Sequence, residues 1–268
     1  MSWTKTPIRG VLLDITGVLY NSGEGDGEAI PGSVEAVARL AASGTPVRFC
    51  TNETMTTRRR LVEKLRRLGF DIELDQVFSP VPAVVSELRR RRLRPFLVSH
   101  PDVAEEFADV VTMNPNAVVL ADAGRHFTYE ILNEAFRVLI TNPDAVLFSL
   151  GIGKYYKDAD RLTLDVGPFA RALEYATSRK AEVVGKPAKA FFETALRDMG
   201  VEPNDAVMVG DDIVNDVGGA QKCGIRGVQV RTGKFQPGDE RHPDVKPDAF
   251  VNNLAEAVDE ILRKKEQA

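Results

Sequence analysis

Short apolar runs alternate with amphipathic stretches of helical spacing along most of this chain, and this alternation constrains the fold more than any other feature. Such a rhythm predicts an α/β fold, in which a parallel sheet is covered by helices. Before residue 80 the predicted elements are Arg9–Asp14, Gly32–Ala42, Pro46–Cys50 and Thr56–Leu68. After residue 178 they are Ala181–Val184, Lys189–Met199, Ala206–Val209, Val217–Cys223, Gly227–Val230 and Leu254–Leu262.

The middle of the chain, residues 81–178, also contains predicted strands and helices, but it is too long for a crossover between neighbouring strands. We therefore predict a second α/β domain inserted into the first. Residues 1–80 and 179–268 would form one domain and residues 81–178 the other. The predicted elements of the insertion are Val84–Arg91, Phe96–Val98, Ala117–Leu120, Tyr129–Ile140, Ala145–Leu150 and Pro168–Ala176.

The charge and the composition of the chain limit the kinds of molecule that it is expected to bind. The chain has 35 Lys and Arg against 39 Asp and Glu, a net charge of −4, so no basic excess points to nucleic acid. No apolar stretch approaches a membrane span, the opening MSWTKTPIRG lacks the features of a signal peptide, and Cys50 and Cys223 are the only cysteines. We expect a cytoplasmic protein without a membrane partner, and a nuclear location stays open.

Two of the predicted strands end abruptly in polar residues, one at Asp14 and one at Asp211, and ligands of parallel sheets bind at such strand ends. In VLLDITGVLY, Asp14 closes an apolar strand, and Gly17 permits the sharp turn that follows. A carboxylate there could attack phosphorus as a nucleophile. The alternative is an Asp that merely caps a turn. In VRFCTNETM, Thr51 and Asn52 lie between a strand and a helix and could bind an anion, or serve as ordinary helix caps.

Two further segments supply charged groups. In EVVGKPAKAFF, Lys186 lies between a short strand and a helix whose first turn is predicted to include Pro187. It could balance the charge of a phosphoryl group, although most lysines are solvated surface residues. In AVMVGDDIVNDVGGAQKCG, a strand leads to Asp211 and Asp212, and Asp216 follows. Clustered carboxylates repel one another, and Mg²⁺ would relieve the repulsion; turn and cap roles are the alternative.

In this order, the four segments resemble the four motifs of the haloacid dehalogenase superfamily. The resemblance implies a Rossmann-like hydrolase core with an inserted α/β cap, a Mg²⁺ cofactor and an aspartyl-phosphate on Asp14. It further implies Asp14 and Lys186 as catalytic residues and Asp211 as a metal ligand with Asp14 and the backbone carbonyl of Thr16. Asp212 and Asp216 would lie close by. The implied substrate-binding residues are Asp14, Ile15, Thr16, Thr51, Asn52 and Lys186.

Longer stretches resemble one group of phosphatases within the superfamily: LLDITGVLYNSG, RFCTNE, YYKDADRLTLDVGPF, ALEYAT, AEVVGKP, GDDIVNDVGGAQKCG and QVRTGKFQPGDERHPDVKPD. This finer resemblance implies phosphohistidine, phospholysine and inorganic pyrophosphate as substrates, and a homodimer. The alternatives are a relative with another phosphate substrate, a scaffold protein with little turnover, and a phosphotransferase that uses an acceptor other than water.

One position departs from the motif of most phosphatases in the superfamily. They carry a second Asp two residues after the nucleophile, which protonates the leaving group, whereas Thr16 stands here. A hydroxyl cannot replace a carboxylic acid, because its proton affinity is far from the operating pH. Cleavage of pyrophosphate releases phosphate, which is already a stable anion, and cleavage of a phosphorus–nitrogen bond releases a nitrogen that water can protonate. Both reactions would depend less on the missing acid than the release of an alkoxide would. Thr16 is also the best support for the scaffold alternative.

Overall fold

The computed structural model describes residues 3, 6–158 and 161–265, so Ala159 and Asp160 of the stretch YYKDADRLTLDVGPF lie outside the described residues. In chain order the strands are β1 (Gly10–Leu13), β2 (Tyr20–Asn21), β3 (Glu28–Ala29), β4 (Val47–Cys50), β5 (Val77–Phe78), β6 (Pro95–Val98), β7 (Ala117–Leu120), β8 (Val146–Ser149), β9 (Tyr155–Asp158), β10 (Arg161–Leu164), β11 (Glu182–Val183), β12 (Ala206–Gly210), β13 (Arg226–Val230) and β14 (Ala249–Val251).

The helices are α1 (Ser33–Ala42), α2 (Arg58–Arg67), α3 (Pro80–Arg91), α4 (Tyr129–Thr141), α5 (Val166–Thr177), α6 (Lys189–Met199), α7 (Gly219–Gln221) and α8 (Leu254–Lys265). A π-helical turn over Ile213–Gly218 leads directly into α7. Short 3₁₀ helices cover Leu74–Gln76, Pro101–Phe107, Gly124–His126, Pro203–Asp205 and Pro237–Arg241. In the described part of the chain, no helix combines the length and the apolar character that crossing a bilayer requires.

Six strands form one sheet in the order β14-β13-β12-β1-β4-β5, and every neighbouring pair is parallel. This confirms the predicted α/β fold. Strand β1 lies between β12 and β4, so the chain segments that leave these three strands emerge side by side. Asp14, Thr51 and Asp211 each follow one of the three. The topology therefore brings the polar strand ends together.

Both faces of this sheet are buried, which explains why its strands read as continuous apolar runs. Successive residues of β1 point to opposite faces. Val11 and Leu13 pack into the cluster formed with α1, α2 and α8, whereas Leu12 packs into the cluster formed with α6. All three side chains are fully buried. Helices on both sides hold the central strand, and hence Asp14, in a rigid position.

A second parallel sheet has the order β11-β8-β7-β6. On one face, Val81, Val84 and Leu88 of α3 pack against Val119 and Phe148 of the strands. On the other face, α4 and α5 form a separate apolar cluster with β7 and β8. The antiparallel hairpin β9-β10 joins β8 to α5. The chain therefore crosses from the first sheet to the second just after β5.

Two predictions are wrong where the chain returns from the second sheet to the first. The run Ala181–Val184 was predicted to belong with the first sheet, but β11 pairs with β8 of the second sheet. The predicted boundary at residues 178 and 179 therefore precedes the last strand of the second sheet. A strand this short carries no periodicity that would indicate its partner. Pro187 also lies before α6, which begins at Lys189.

Candidate active site

The polar strand ends open into a cavity of about 510 Å³. Its walls include every side chain that the sequence singled out for chemistry except one: Asp14, Thr16, Thr51, Asn52, Lys186, Asp211, Asp212 and Asp216. The exception is Ile15, whose side chain is fully buried in the apolar cluster beneath the first sheet. Any contact between Ile15 and a ligand in this cavity would have to come from its backbone.

Lys186 lies at the centre of the site and is 3% exposed. Its Nζ lies 2.7 Å from Asp14 Oδ1 and 2.7 Å from Asp216 Oδ1, and it donates a hydrogen bond of 2.8 Å to the carbonyl oxygen of Cys50. Burial lowers the pKa of Lys186, but the carboxylates of Asp14 and Asp216 outweigh burial and raise it above its ordinary value. The ammonium group therefore stays charged at neutral pH.

The backbone of Lys186 is held by Asn52. Asn52 Oδ1 accepts the Lys186 N–H at 2.8 Å, and Nδ2 donates to the Lys186 carbonyl at 2.9 Å. Gly185 permits this close approach, because a Cβ there would lie 2.5 Å from Asn52 Oδ1 and 2.4 Å from the carbonyl oxygen of Leu150. Asn52 thus positions the lysine, a role that the sequence did not suggest.

Three buried carboxylates form the acidic part of the site. Asp14, Asp211 and Asp216 each contribute an oxygen, and these oxygens all lie within 4.8 Å of one another. Asp211 Oδ2 accepts the N–H of Lys234 at 2.8 Å, whereas Asp211 Oδ1 is buried and has no hydrogen-bond partner in the described part of the chain. Burial raises the pKa of Asp211 well above its usual range, and Asp14 and Asp216 raise it further.

This arrangement fits a hard divalent cation. A buried, unpaired carboxylate oxygen is costly, and its cost is relieved by a partner of opposite charge. Mg²⁺ prefers carboxylate oxygens and usually keeps several waters, which the adjoining cavity could supply. Asp14, Asp211 and Asp216 are therefore the residues that could hold it. The backbone carbonyl of Thr16 as a further ligand stays a prediction.

Asp212 lies outside this cluster, although it directly follows Asp211. Its Oδ1 accepts the N–H groups of Val214 and Asn215, both at 2.9 Å, and so caps the π-helical turn. Its Oδ2 lies 2.9 Å from Lys234 Nζ. Burial raises the pKa of Asp212, but Lys234 and the hydrogen bond from Asn215 outweigh burial and lower it. Asp211 and Asp212 therefore have different surroundings, although they are neighbours in the sequence.

Thr16 is joined to two residues that the sequence did not single out. Its Oγ1 donates to the hydroxyl oxygen of Tyr20 at 3.3 Å, and Lys64 Nζ donates to the same oxygen at 3.1 Å. Lys64 also lies over the ring of Tyr20, 4.3 Å from its centroid. No carboxyl group of the described residues takes part in this chain of hydrogen bonds. The position of the second motif Asp is thus occupied by hydroxyl groups and an ammonium.

The cavity is also lined by three more acids that sequence reasoning missed, Glu53, Asp122 and Asp165. Glu53 follows β4, Asp122 follows β7, and Asp165 caps α5. Burial raises the pKa of Asp122 to about 7, and the neighbouring Asp165 and Glu53 carboxylates raise it as well. Burial also raises the pKa values of Glu53 and Asp165. Among the described residues, seven carboxyl groups and three lysines line the cavity.

Comparisons with known proteins identify the family. A model described as haloacid dehalogenase-like hydrolase matches residues 11–111, and one described as HAD-hydrolase-like matches residues 183–257. The phospholysine phosphohistidine inorganic pyrophosphate phosphatase of Danio rerio is 59% identical over 258 residues, which are 96% of this chain and 96% of that protein. The chain belongs to the haloacid dehalogenase-like hydrolase family. The resemblance drawn from the four motifs is confirmed.

Other members of the haloacid dehalogenase-like hydrolase family are similar over the same length. Haloacid dehalogenase-like hydrolase domain-containing protein 2 of Homo sapiens is 43% identical over 256 residues, 96% of either chain. Among solved structures, p-nitrophenyl phosphatase from Archaeoglobus fulgidus has a TM-score of 0.83 and 26% identity, and the match covers 95% of this chain and 99% of that one. The similarity therefore extends through both parallel sheets.

Proposed function

We propose that this member of the haloacid dehalogenase-like hydrolase family is a magnesium-dependent phosphatase in which Asp14 attacks phosphorus. The observation that carries the proposal is the buried contact of 2.7 Å between Lys186 Nζ and Asp14 Oδ1 beside the free oxygen of Asp211. An ionised carboxylate held in place by a fixed cation can attack a phosphoryl group and form an aspartyl-phosphate, which water then hydrolyses.

The residues around Asp14 supply position and charge. Lys186 pairs with the Asp14 carboxylate and would balance the negative charge of an incoming phosphoryl group. Thr51 follows the neighbouring strand, and its Oγ1 already accepts the Glu53 N–H at 2.9 Å. Its own hydroxyl proton would donate to a phosphoryl oxygen. Asn52 would act mainly through Lys186, because its amide oxygen and nitrogen both bind the lysine backbone.

The balance of charged side chains in the site supports the proposal that it binds a divalent metal ion. Of the described residues, Asp14, Asp211, Asp212 and Asp216 contact the cations Lys186 and Lys234, so with all four carboxylates ionised the excess of two negative charges equals the charge of one divalent cation. Asp14, Asp211 and Asp216 would hold the Mg²⁺, with the Thr16 carbonyl as a proposed fourth contact. When bound, Mg²⁺ would neutralise phosphoryl charge and help to orient the phosphorus for in-line attack.

The substrates we propose carry a phosphorus–nitrogen bond, as in phosphohistidine or phospholysine, with inorganic pyrophosphate as a further substrate. The name of the 59% identical relative supports this choice over that of the 43% identical one. Two features of the cavity agree with a substrate that carries a phosphorus–nitrogen bond. Thr16 supplies no carboxylic acid for an alkoxide leaving group, and Glu53, Asp122 and Asp165 would attract a leaving group that carries positive charge.

Three further proposals concern the setting of the enzyme. We propose that the second sheet and its helices form a cap over the site, because Asp122 and Asp165 of that unit line the same cavity as Asp14. A lid of this kind excludes water and contacts the leaving group. We also propose a homodimer and a cytoplasmic location, with the nucleus as a second compartment. Size-exclusion chromatography with light scattering and imaging of the tagged protein test these two.

The experiment that tests the function measures phosphate release with saturating Mg²⁺ from phosphohistidine, phospholysine, pyrophosphate and p-nitrophenyl phosphate. We expect kcat/KM to be highest for a phosphoramidate. The Asp14→Asn variant serves as the inactive control for contaminating phosphatases. Formation of a phosphorylated alcohol, with release of the leaving group but not of inorganic phosphate, after addition of an alcohol acceptor would indicate a phosphotransferase instead. Absence of release from all four substrates by a folded, Mg²⁺-binding protein would refute the proposal.

A further inference from the structure

The chain after β13 returns to the acidic cluster through Thr232, Gly233 and Lys234, named here the 232–234 segment. The Lys234 N–H donates to Asp211 Oδ2 at 2.8 Å, and Lys234 Nζ lies 2.9 Å from Asp212 Oδ2. The Thr232 hydroxyl donates to the carbonyl oxygen of Gly17 at 2.5 Å. One short segment therefore contacts both acids that follow β12 and the turn that follows β1.

Two glycines meet where this segment reaches the turn. Gly17 has φ +88° and Gly233 has φ +63°, conformations that favour glycine. A Cβ on either residue would lie 2.1 Å from Asp211 Oδ2. A Cβ on Gly233 would also lie 2.6 Å from the Cα of Gly17. The absence of both side chains creates the space that the Asp211 carboxylate occupies.

We infer that the 232–234 segment positions Asp211 for the metal, with Gly233 and Lys234 as positioning residues. This inference rests on the proposed function in naming Mg²⁺ as the ligand. A carboxylate without such contacts can rotate and use either oxygen. Here the Lys234 N–H donates to Oδ2, the two glycines leave the space that Oδ2 occupies, and Oδ1 is buried without a hydrogen-bond partner among the described residues.

The side chain of Lys234 also helps to position a second acid of the cluster, Asp216. It pairs with Asp212, which caps the π-helical turn, and Asp216 lies within that turn. The Asp212 N–H in turn donates to Asp216 Oδ2 at 3.1 Å. Lys234 therefore fixes Asp211 through its backbone and steadies the turn that carries Asp216 through its ammonium group. Groups that orient metal ligands typically contribute about 10-fold to 100-fold to metal affinity.

The test compares Gly233→Ala with Gly44→Ala in the full-length protein. Gly44 has a similar φ of +68°, but a Cβ there would meet nothing within 4 Å. The control therefore matches the backbone strain without the contact to Asp211. Isothermal titration calorimetry with Mg²⁺ alone gives the dissociation constant of each variant. We expect Gly233→Ala to weaken Mg²⁺ binding by about 10-fold or more and Gly44→Ala to bind as the wild type does.

Equal Mg²⁺ affinity of the two variants would overturn the inference, whatever their activity. If Gly233→Ala does not fold, Thr232→Val decides instead. This variant keeps the glycine pair but removes the hydrogen bond to Gly17, and we expect it to weaken Mg²⁺ binding by roughly 3-fold to 10-fold. Wild-type affinity in Thr232→Val would then overturn the inference. A wild-type protein that binds no Mg²⁺ would refute the proposed function as well, so the two failures are distinct.

Discussion

Asn52 binds the backbone of Lys186 at both its N–H and its carbonyl group, although the two residues are far apart in sequence. The side-chain amide thereby joins the loop after β4 to the loop that precedes α6. Lys186 contacts Asp14 through its side chain, so Asn52 indirectly fixes the proposed nucleophile. A residue predicted to bind phosphate thus has a measurable positioning role.

Replacing Asn52 with Ala should lower kcat/KM by about 10-fold to 100-fold, because a lysine that is no longer fixed places its charge less accurately. Asn21→Ala is the control, since Asn21 is exposed and lines the same cavity. Steady-state phosphate release, together with a thermal melt of each variant, measures the effect. A wild-type rate in Asn52→Ala would show that Gly185 and the contacts of the Lys186 side chain suffice to hold the lysine.

Asp14→Asn should abolish turnover and leave the fold intact, because the amide keeps the shape of the carboxylate but is not a nucleophile. Lys186 keeps its contact with Asp216, so we expect the free energy of unfolding to change by no more than about 2 kcal/mol. Phosphate release and urea unfolding check the two statements. The exposed Asp71→Asn variant controls for loss of an acid. Substantial phosphate release from folded Asp14→Asn would exclude Asp14 as the nucleophile.

Removal of divalent metal with a chelator should stop the reaction, and added Mg²⁺ should restore it. Asp211→Ala removes the unpaired oxygen at the centre of the acidic cluster, so we expect the Mg²⁺ concentration for half-maximal activity to rise by about 10-fold or more. Asp71→Ala should leave it unchanged. Full activity in excess chelator would show that the three buried acids have another role.

Thr16→Asp should shift preference toward phosphate monoesters, because a positioned acid that protonates an alkoxide typically contributes about 10²-fold to 10⁴-fold. Phosphoramidates should gain much less. Thr16→Asn is the matched control, with a similar shape and no acidic proton. The ratio of monoester to phosphoramidate kcat/KM, at saturating Mg²⁺, reports the effect. An unchanged ratio in a folded, metal-binding Thr16→Asp variant would place selectivity elsewhere, for instance in the acids of the second sheet unit.

Asp122→Asn should make the protein more stable at pH 8. Burial, with Asp165 and Glu53, raises the pKa of Asp122 from 3.8 to about 7. A carboxyl with a raised pKa binds more protons in the folded than in the unfolded chain between those values. Stability therefore falls as pH rises from about 4 to about 7, and the loss is absent below the unfolded pKa.

Such a change in pKa corresponds to about 4 kcal/mol at most, and we expect roughly 1–3 kcal/mol after local relaxation. Urea unfolding of the wild type and Asp122→Asn at pH 4, 6 and 8 measures the difference. The exposed Asp144→Asn variant should show no such trend. Equal stability of Asp122→Asn and the wild type at pH 8 would mean that Asp122 is ionised in the folded protein without cost.

The long elements of the fold could be predicted because their sequences carry a clear period. The end of the helix Lys189–Met199 was predicted at the right residue, and Gly200 stops the helix there in the left-handed conformation. The strand Ala117–Leu120 was predicted equally well. Strands of two residues, such as Val77–Phe78 and Glu182–Val183, contain too few positions to show alternation, and their partners are set only by the packed structure.

The site was predictable where strand ends supply it. Asp14 and Asp211 leave adjacent parallel strands and therefore meet, as their positions in the sequence indicated. Glu53 and Asp122 also follow predicted strands, so the same signal could have pointed to them, but only the fold shows that strands of both sheets end at one cavity. Lys234 looks like an ordinary surface residue until the chain folds. The different surroundings of Asp212 and Asp216 were likewise hidden, since they depend on the direction of the π-helical turn.

The position of strand β11 determines how a movement of the second sheet would reach Lys186. Only Val184 and Gly185 separate the last strand of the second sheet from Lys186. Any rotation of that sheet against the first must be absorbed within these two residues or transmitted to the lysine. Asn52 resists such a displacement from the side of the first sheet. The geometry therefore places the ammonium group that contacts Asp14 directly beside the crossing between the two sheets, so that a displacement of one sheet against the other would move the lysine relative to this carboxylate.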